Sequence, residues 1–84
     1  MLNWQYSGIE NVAKALVTIQ GYGSAESWAA SIKATAERAY GDGGVGYVET
    51  AGYCVTIWAD DNGTRHAKVT LSAYGVLLAL GINP

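Results

Sequence analysis

Residues 53–71 read Tyr53-Cys54-Val55-Thr56-Ile57-Trp58-Ala59-Asp60-Asp61-Asn62-Gly63-Thr64-Arg65-His66-Ala67-Lys68-Val69-Thr70-Leu71. Apolar and polar side chains alternate as far as Ala59 and alternate again from Arg65. A period of two belongs to a strand with one covered face. The residues between the two runs are turn formers, so the stretch predicts an antiparallel hairpin.

The register follows from which side chains must meet. A two-residue turn at Asn62-Gly63 pairs Asp61 with Thr64 and sets Ile57 opposite Lys68. Opposed residues share a face, so apolar would meet charged along the ladder. A three-residue loop, Asp61-Asn62-Gly63, with Gly63 in the left-handed region removes the conflict. It pairs Asp60 with Thr64, Ala59 with Arg65, Trp58 with His66 and Ile57 with Ala67. It continues with Thr56–Lys68, Val55–Val69, Cys54–Thr70 and Tyr53–Leu71. One face then holds Tyr53, Val55, Ile57, Ala59, Ala67, Val69 and Leu71, and is expected to rest on helices. The other holds Cys54, Thr56, Trp58, Asp60, Thr64, His66, Lys68 and Thr70.

That register tests the available chemistry. A Cys–His nucleophilic dyad needs hydrogen-bond reach. Cys54 and His66 share a face but stand four rungs apart, about 13 Å at strand rise. His66 meets Asp60 diagonally, as a base meets an orienting carboxylate. No serine nucleophile is placed nearby, so the pair reads as a surface hydrogen bond. Asp60 and Asp61 are adjacent, and paired carboxylates serve glycoside hydrolysis and metal binding. At a hairpin tip, however, aspartates cap turns. Cys54 and His66 are too few ligands for zinc. The expectation is no catalytic site, no metal and no cofactor. Trp58, on the polar face opposite His66, is a hot-spot residue type. The expected partner-binding residues are Trp58, His66, Thr56, Lys68, Asp60 and Asp61.

Outside the hairpin, the alternation of Leu2 to Ser7 predicts a short strand. Ser7-Gly8-Ile9-Glu10 has capping-box spacing, with Ser7 as the cap. Ile9, Val12, Ala13, Leu16 and Ile19 follow helical spacing, and Gly21 ends that helix. Ser24 is expected to cap a second helix, with Trp28, Ile32, Ala36 and Tyr40 on its apolar stripe and Lys33 beside Glu37. Gly41 is expected to close it.

Gly41-Asp42-Gly43-Gly44-Val45-Gly46 matches G-x-G-x-x-G. A dinucleotide fingerprint requires a strand before it and a helix after it. Here the order is reversed, so the segment reads as a turn. The extended stretch 46–60 is expected to break near Ala51-Gly52. Ser72 is expected to cap a last helix through Leu80, closed by Gly81, although Gly75 near its start costs about 1 kcal/mol relative to alanine; a buried strand over Val76 to Leu80 is the alternative. The fold expected is one α+β domain over residues 1–84. It is a small antiparallel sheet, the 53–71 hairpin plus an N-terminal strand, packed on two or three helices in the order β-α-α-β-β-α.

The chain has 84 residues and a formal charge of −2. Its five cations, Lys14, Lys33, Arg38, Arg65 and Lys68, are scattered. A nucleic-acid binder carries a basic stripe, so no direct nucleic-acid partner is expected. The single cysteine permits no intrachain disulfide, which fits a reducing compartment. No signal peptide is read at Met1 to Ser7, and no apolar run spans a bilayer. A cytoplasmic, membrane-free protein is expected. Six Tyr and three Trp stand against no Phe, a composition suited to contact surfaces.

These features point to a non-enzymatic domain that binds another protein. Small acidic domains without disulfides or catalytic groups are common among phage and mobile-element products that block host machinery, anti-CRISPR proteins included. The leading expectation is an inhibitor of a host protein of that kind. One alternative is a small-ligand or nucleotide-binding module acting as a homodimer, using the Gly-rich segment. A second is a small enzyme using Asp60 and His66.

Overall fold

The computed structural model describes residues 3–43 and 46–81. Along the chain run β1 (Trp4–Ser7), α1 (Ile9–Gln20), α2 (Ala25–Gly43), β2 (Gly46–Thr50), β3 (Tyr53–Ala59), β4 (Arg65–Leu71) and α3 (Ala73–Ala79). The fold is α+β, a four-stranded sheet against three helices.

The register of β3 on β4 is the one that matching apolar side chains requires. It runs from Tyr53 opposite Leu71 to Ala59 opposite Arg65. The loop closes as a bulged hairpin. The Asp60 N–H donates to the Thr64 carbonyl at 3.0 Å, and the Gly63 N–H donates to the Asp60 carbonyl at 3.0 Å. Gly63 has φ +81°.

The stretch 46–60 does break at Ala51-Gly52, and the break is a second hairpin turn. Both turn residues have positive φ, +50° at Ala51 and +92° at Gly52. That is the hand of a two-residue turn whose twist suits its strands. The Gln20 side-chain amide holds it, donating to the Ala51 carbonyl at 2.7 Å. The stretch therefore gives two strands, β2 and β3, and the sheet order is β1-β4-β3-β2.

β1 lies parallel to β4, pairing Trp4 with Arg65 through Ser7 with Lys68. The sheet is thus mixed, where an antiparallel one is expected from the sequence. No tight turn joins β1 to its neighbour; the whole α1–β3 segment lies between them, so alternation cannot dictate strand direction.

Helices α1 and α2 cover one face of the sheet. Val12, Ala13 and Leu16 of α1 and Trp28, Ile32 and Ala36 of α2 are buried with Tyr53, Val55, Ile57, Ala67 and Val69. Burying a Leu, Ile or Val side chain stabilises by roughly 1.5–3 kcal/mol. The buried Tyr53 hydroxyl is paired with Thr35 Oγ1 at 3.0 Å, and Trp28 Nε1 donates to the Tyr22 carbonyl at 3.0 Å. Ala59, expected on this covered face, is exposed, and Leu71 is half-buried. Ala59 lies at the loop end of β3, where the core runs out, whereas Leu71 packs against the core beside Tyr53.

Helix ends follow the sequence in part. Gly21 ends α1 in a left-handed conformation. Ser24 caps α2, its hydroxyl accepting from the Ser27 N–H at 3.1 Å while the Ser24 N–H donates to Ser27 Oγ at 2.9 Å. Ser72 caps α3, accepting from the Gly75 N–H at 3.0 Å. At α1, however, the cap is Gly8 at φ +81°, with no side-chain cap bond. Ser7 belongs instead to β1, which needs it for pairing with Lys68.

Helix α2 runs past Gly41 to Gly43, so half of the Gly-rich segment is helical; Gly44 and Val45 lie outside the described residues. Gly41 is exposed in that helix, with open space where a Cβ would stand. Gly41→Ala should therefore raise stability by about 0.5–1 kcal/mol, read as a melting temperature a few degrees higher.

Candidate functional site

With the helices on one side, the register assigns the other side of the sheet. β3 presents Cys54, Thr56 and Trp58; β4 presents His66, Lys68 and Thr70. β1 adds Gln5 and Ser7, and β2 adds Tyr47 and Glu49. Gln5, Ser7, Tyr47, Glu49, Thr56, Trp58, Lys68 and Thr70 are exposed. No residue of the main hydrophobic cluster belongs to this face, and Cys54 is its one buried side chain among those named.

At the hairpin-loop end of this face is a connected set of side chains. Trp58 stacks on His66, with ring centroids 5.1 Å apart and planes 9° from parallel. His66 Nε2 and Asp60 Oδ2 are 2.9 Å apart. The other carboxylate oxygen, Oδ1, accepts from the Asn62 N–H at 2.9 Å and the Thr64 N–H at 3.1 Å. The turn thus fixes Asp60, Asp60 fixes the imidazole, and the imidazole carries the indole. Trp58 is 40% exposed yet held in one orientation. Pre-ordering of this kind lowers the entropy lost when a partner docks.

The hydrogen bond to His66 is the main reason the Asp60 carboxyl lies below its ordinary value, with the Asn62 and Thr64 amides adding to it. A carboxyl whose value is lowered by folding stabilises the fold while ionised. The contribution is whole above the ordinary aspartate value and is lost as pH falls through the lowered one. The Asn62 and Thr64 amide resonances and the Trp58 indole N–H should therefore shift together in acid, below the ordinary aspartate range. Asp60→Asn should abolish that titration and lower the melting temperature. Retention of the titration in the variant would refute the assignment.

Of the residues expected from sequence, the structure brings Trp58, His66, Thr56, Lys68 and Asp60 onto one surface. Asp61 stands exposed in the loop. Cys54, expected on the open face, has the right phase but is buried. Tyr47 is the reason: its hydroxyl reaches across from β2 to within 2.9 Å of Cys54 Sγ. That contact, then partial desolvation, then Glu49, pushes the Tyr47 phenol up to about 12. Cys54 pairs with Thr70 and His66 with Trp58, so the thiol stays four rungs from the imidazole. The residues paired with His66 are Gln5 and Trp58. Among the described residues no three His, Cys, Asp or Glu side chains gather as a metal site.

A second cluster escaped the sequence reading. At the Trp4 end of the sheet, on the helix side, Trp4 stacks on Tyr6 and meets Tyr40 edge-on, both at 5.7 Å. The Arg65 guanidinium lies 4.2 Å from the centre of the Tyr40 ring. Lys33 and Glu37, expected to face one another, both turn to Tyr6. The Lys33 ammonium sits 5.4 Å from its ring, and its hydroxyl donates to Glu37 at 3.3 Å. Burial first, then Glu37, raises the Tyr6 phenol to about 12. The signal was present: Arg65 has the phase of Ala67 and Val69, the helix-facing phase. Its charge hid its position.

The clefts are small and open. One of about 310 Å³ lies between α1 and α2, lined by Glu10, Ala13, Lys14, Ala25, Glu26 and Ala29. Another of about 320 Å³ lies by Tyr22, Trp28 and Ala51. No helix among the described residues is long and apolar enough to cross a membrane. No family model, no curated protein and no solved structure matches this chain.

Proposed function

We propose that this chain is a non-enzymatic interaction domain that binds another protein on the open face of its sheet. The observation that carries the reading is Trp58, exposed and clamped through His66 and Asp60 at the hairpin-loop end of an uncovered, hydrogen-bonding surface. An aromatic anchor of this type is what protein interfaces concentrate energy on. Thr56, Lys68, Gln5 and Ser7 beside it supply the polar surround of such a patch.

An aromatic side chain on an open sheet also suits stacking of single-stranded nucleic acid, but that mode needs a cationic groove. Among the described residues Lys68 is the one Lys or Arg on this face, and Glu49 and Asp60 lie on it as well. The charge favours a protein. The specific form of the proposal is an antagonist that a phage or mobile element directs at a host protein, supported by the acidic composition and the exposed aromatic anchor.

The test is affinity capture from host extract with three baits: the natural chain, Trp58→Ala, and Lys14→Ala on the exposed side of α1. A protein held by the natural chain and by Lys14→Ala but lost with Trp58→Ala supports the proposal. Equal recovery on all three refutes it.

A further inference from the structure

We infer that β2 is a self-association edge: two copies of this chain pair their Gly46–Thr50 strands antiparallel about Val48, joining two sheets into one of eight strands.

The argument starts from the loop hydrogen bonds. The Asp60 N–H donates to the Thr64 carbonyl, so Asp60–Thr64 is a hydrogen-bonded rung. Rungs of an antiparallel ladder alternate between bonded and non-bonded. Trp58, Thr56 and Cys54 therefore direct their main-chain groups toward β4. Ile57, Val55 and Tyr53 direct theirs toward β2. Their partners there are Gly46, Val48 and Thr50. The two-residue turn at Ala51-Gly52 gives the same phase, because its closing pair, Thr50–Tyr53, is a bonded rung. The N–H and C=O groups of Tyr47 and Glu49 therefore point outward, away from β3. β2 ends the sheet, so no strand receives them among the described residues.

Those outward groups are self-complementary. A two-fold axis at Val48 sets Tyr47 of one copy opposite Glu49 of the other, twice. Both members of each pair point their main-chain groups at the seam, which gives four hydrogen bonds. Val48 meets Val48 of the second copy as a non-bonded rung, where side chains approach most closely. Val48 is half-buried on the helix side, so this contact extends the core. Centring on Val48 keeps the two open faces on the same side; a shift of one residue would mix faces. No like charges oppose one another. The strand also lacks the lysine or proline that commonly blunts a free edge. Its one charge, Glu49, has a carboxylate that accepts from the Tyr47 hydroxyl at 3.2 Å.

The consequence is a single broad surface carrying two Trp58 anchors, which would strengthen attachment to a repeating or two-fold partner. The edge pairing does not depend on what docks there, so its test is separate from the capture experiment.

Sedimentation equilibrium over a concentration series reads the outcome. The natural chain should pass from 8.8 kDa toward twice that mass. Glu49→Pro removes an outward N–H that the chain itself does not use, so it should stay monomeric with an unchanged circular dichroism spectrum. Tyr47→Glu, which sets carboxylates opposite each other across the seam, should also stay monomeric, and Tyr47→Lys should restore the dimer. A natural chain still monomeric at about 1 mM would overturn the inference. So would a dimer that survives Glu49→Pro with its fold intact, which would place self-association on another surface or leave the edge to a foreign strand.

Discussion

Trp58→Ala should weaken partner binding by about 2 kcal/mol or more, roughly 30-fold in Kd, while leaving the fold intact. The two effects separate because the indole lies on the open side of the sheet, outside the core formed by Leu16, Ile32, Val55 and their neighbours. Within the chain it stacks on His66, a contact worth less than burial in an interface pocket. His66→Ala should act in the same direction with a smaller effect, by freeing the indole to rotate. Calorimetry against the captured partner, with melting curves for each variant, checks both. A Trp58→Ala protein that binds normally and melts normally would remove the open face from consideration.

Gly75→Ala should destabilise the fold by about 3 kcal/mol, a fall in melting temperature of roughly 15 °C or more for a domain this size. Helix propensity alone forecasts the opposite, since alanine is favoured over glycine by about 1 kcal/mol within a helix. The reversal comes from tertiary contact. Gly75 is buried in α3, and a Cβ there would strike the Gly52 carbonyl oxygen. That carbonyl also accepts from the Ser72 N–H at 2.9 Å, so it cannot swing aside without breaking the start of α3. Against a total stability of order 5–15 kcal/mol, the loss is readily measured by denaturant titration. Gly41→Ala, in open solvent, supplies the contrast of sign.

Gly75 also shows where sequence reading stops. The sequence marks it as a weak residue for a helix, and only the approach of the Ala51-Gly52 turn explains its presence. Gly8 repeats the lesson. Ser7 has ideal capping-box spacing with Glu10, but a Cβ on Gly8 would strike the Val69 carbonyl. The close packing of Gly8 on β4 therefore decides where α1 begins. Local pattern yields to contacts with residues sixty positions away.

The hairpin was legible because its error signal is strong. Slipping β3 by one residue on β4 would turn Val55, Ile57, Ala67 and Val69 out of the core. The same phase placed Trp58 beside His66 and kept Cys54 from it. β1 had no such constraint, and its parallel direction was invisible. The burial of Cys54 was invisible too, because the phase of β2, and hence the reach of Tyr47, depends on the turn at Ala51-Gly52. That turn was anticipated only as a break, with alanine where asparagine or glycine usually signals such a turn.

Site-specific photo-crosslinking in the cell of origin tests the central claim most directly. A photoreactive residue replaces Thr56, two rungs from Trp58 on the open face. In a second protein it replaces Lys14, exposed on α1. The account predicts a discrete adduct with one protein from position 56, lost when Trp58→Ala is added, and none from position 14. An adduct from position 14 with none from position 56 would contradict it.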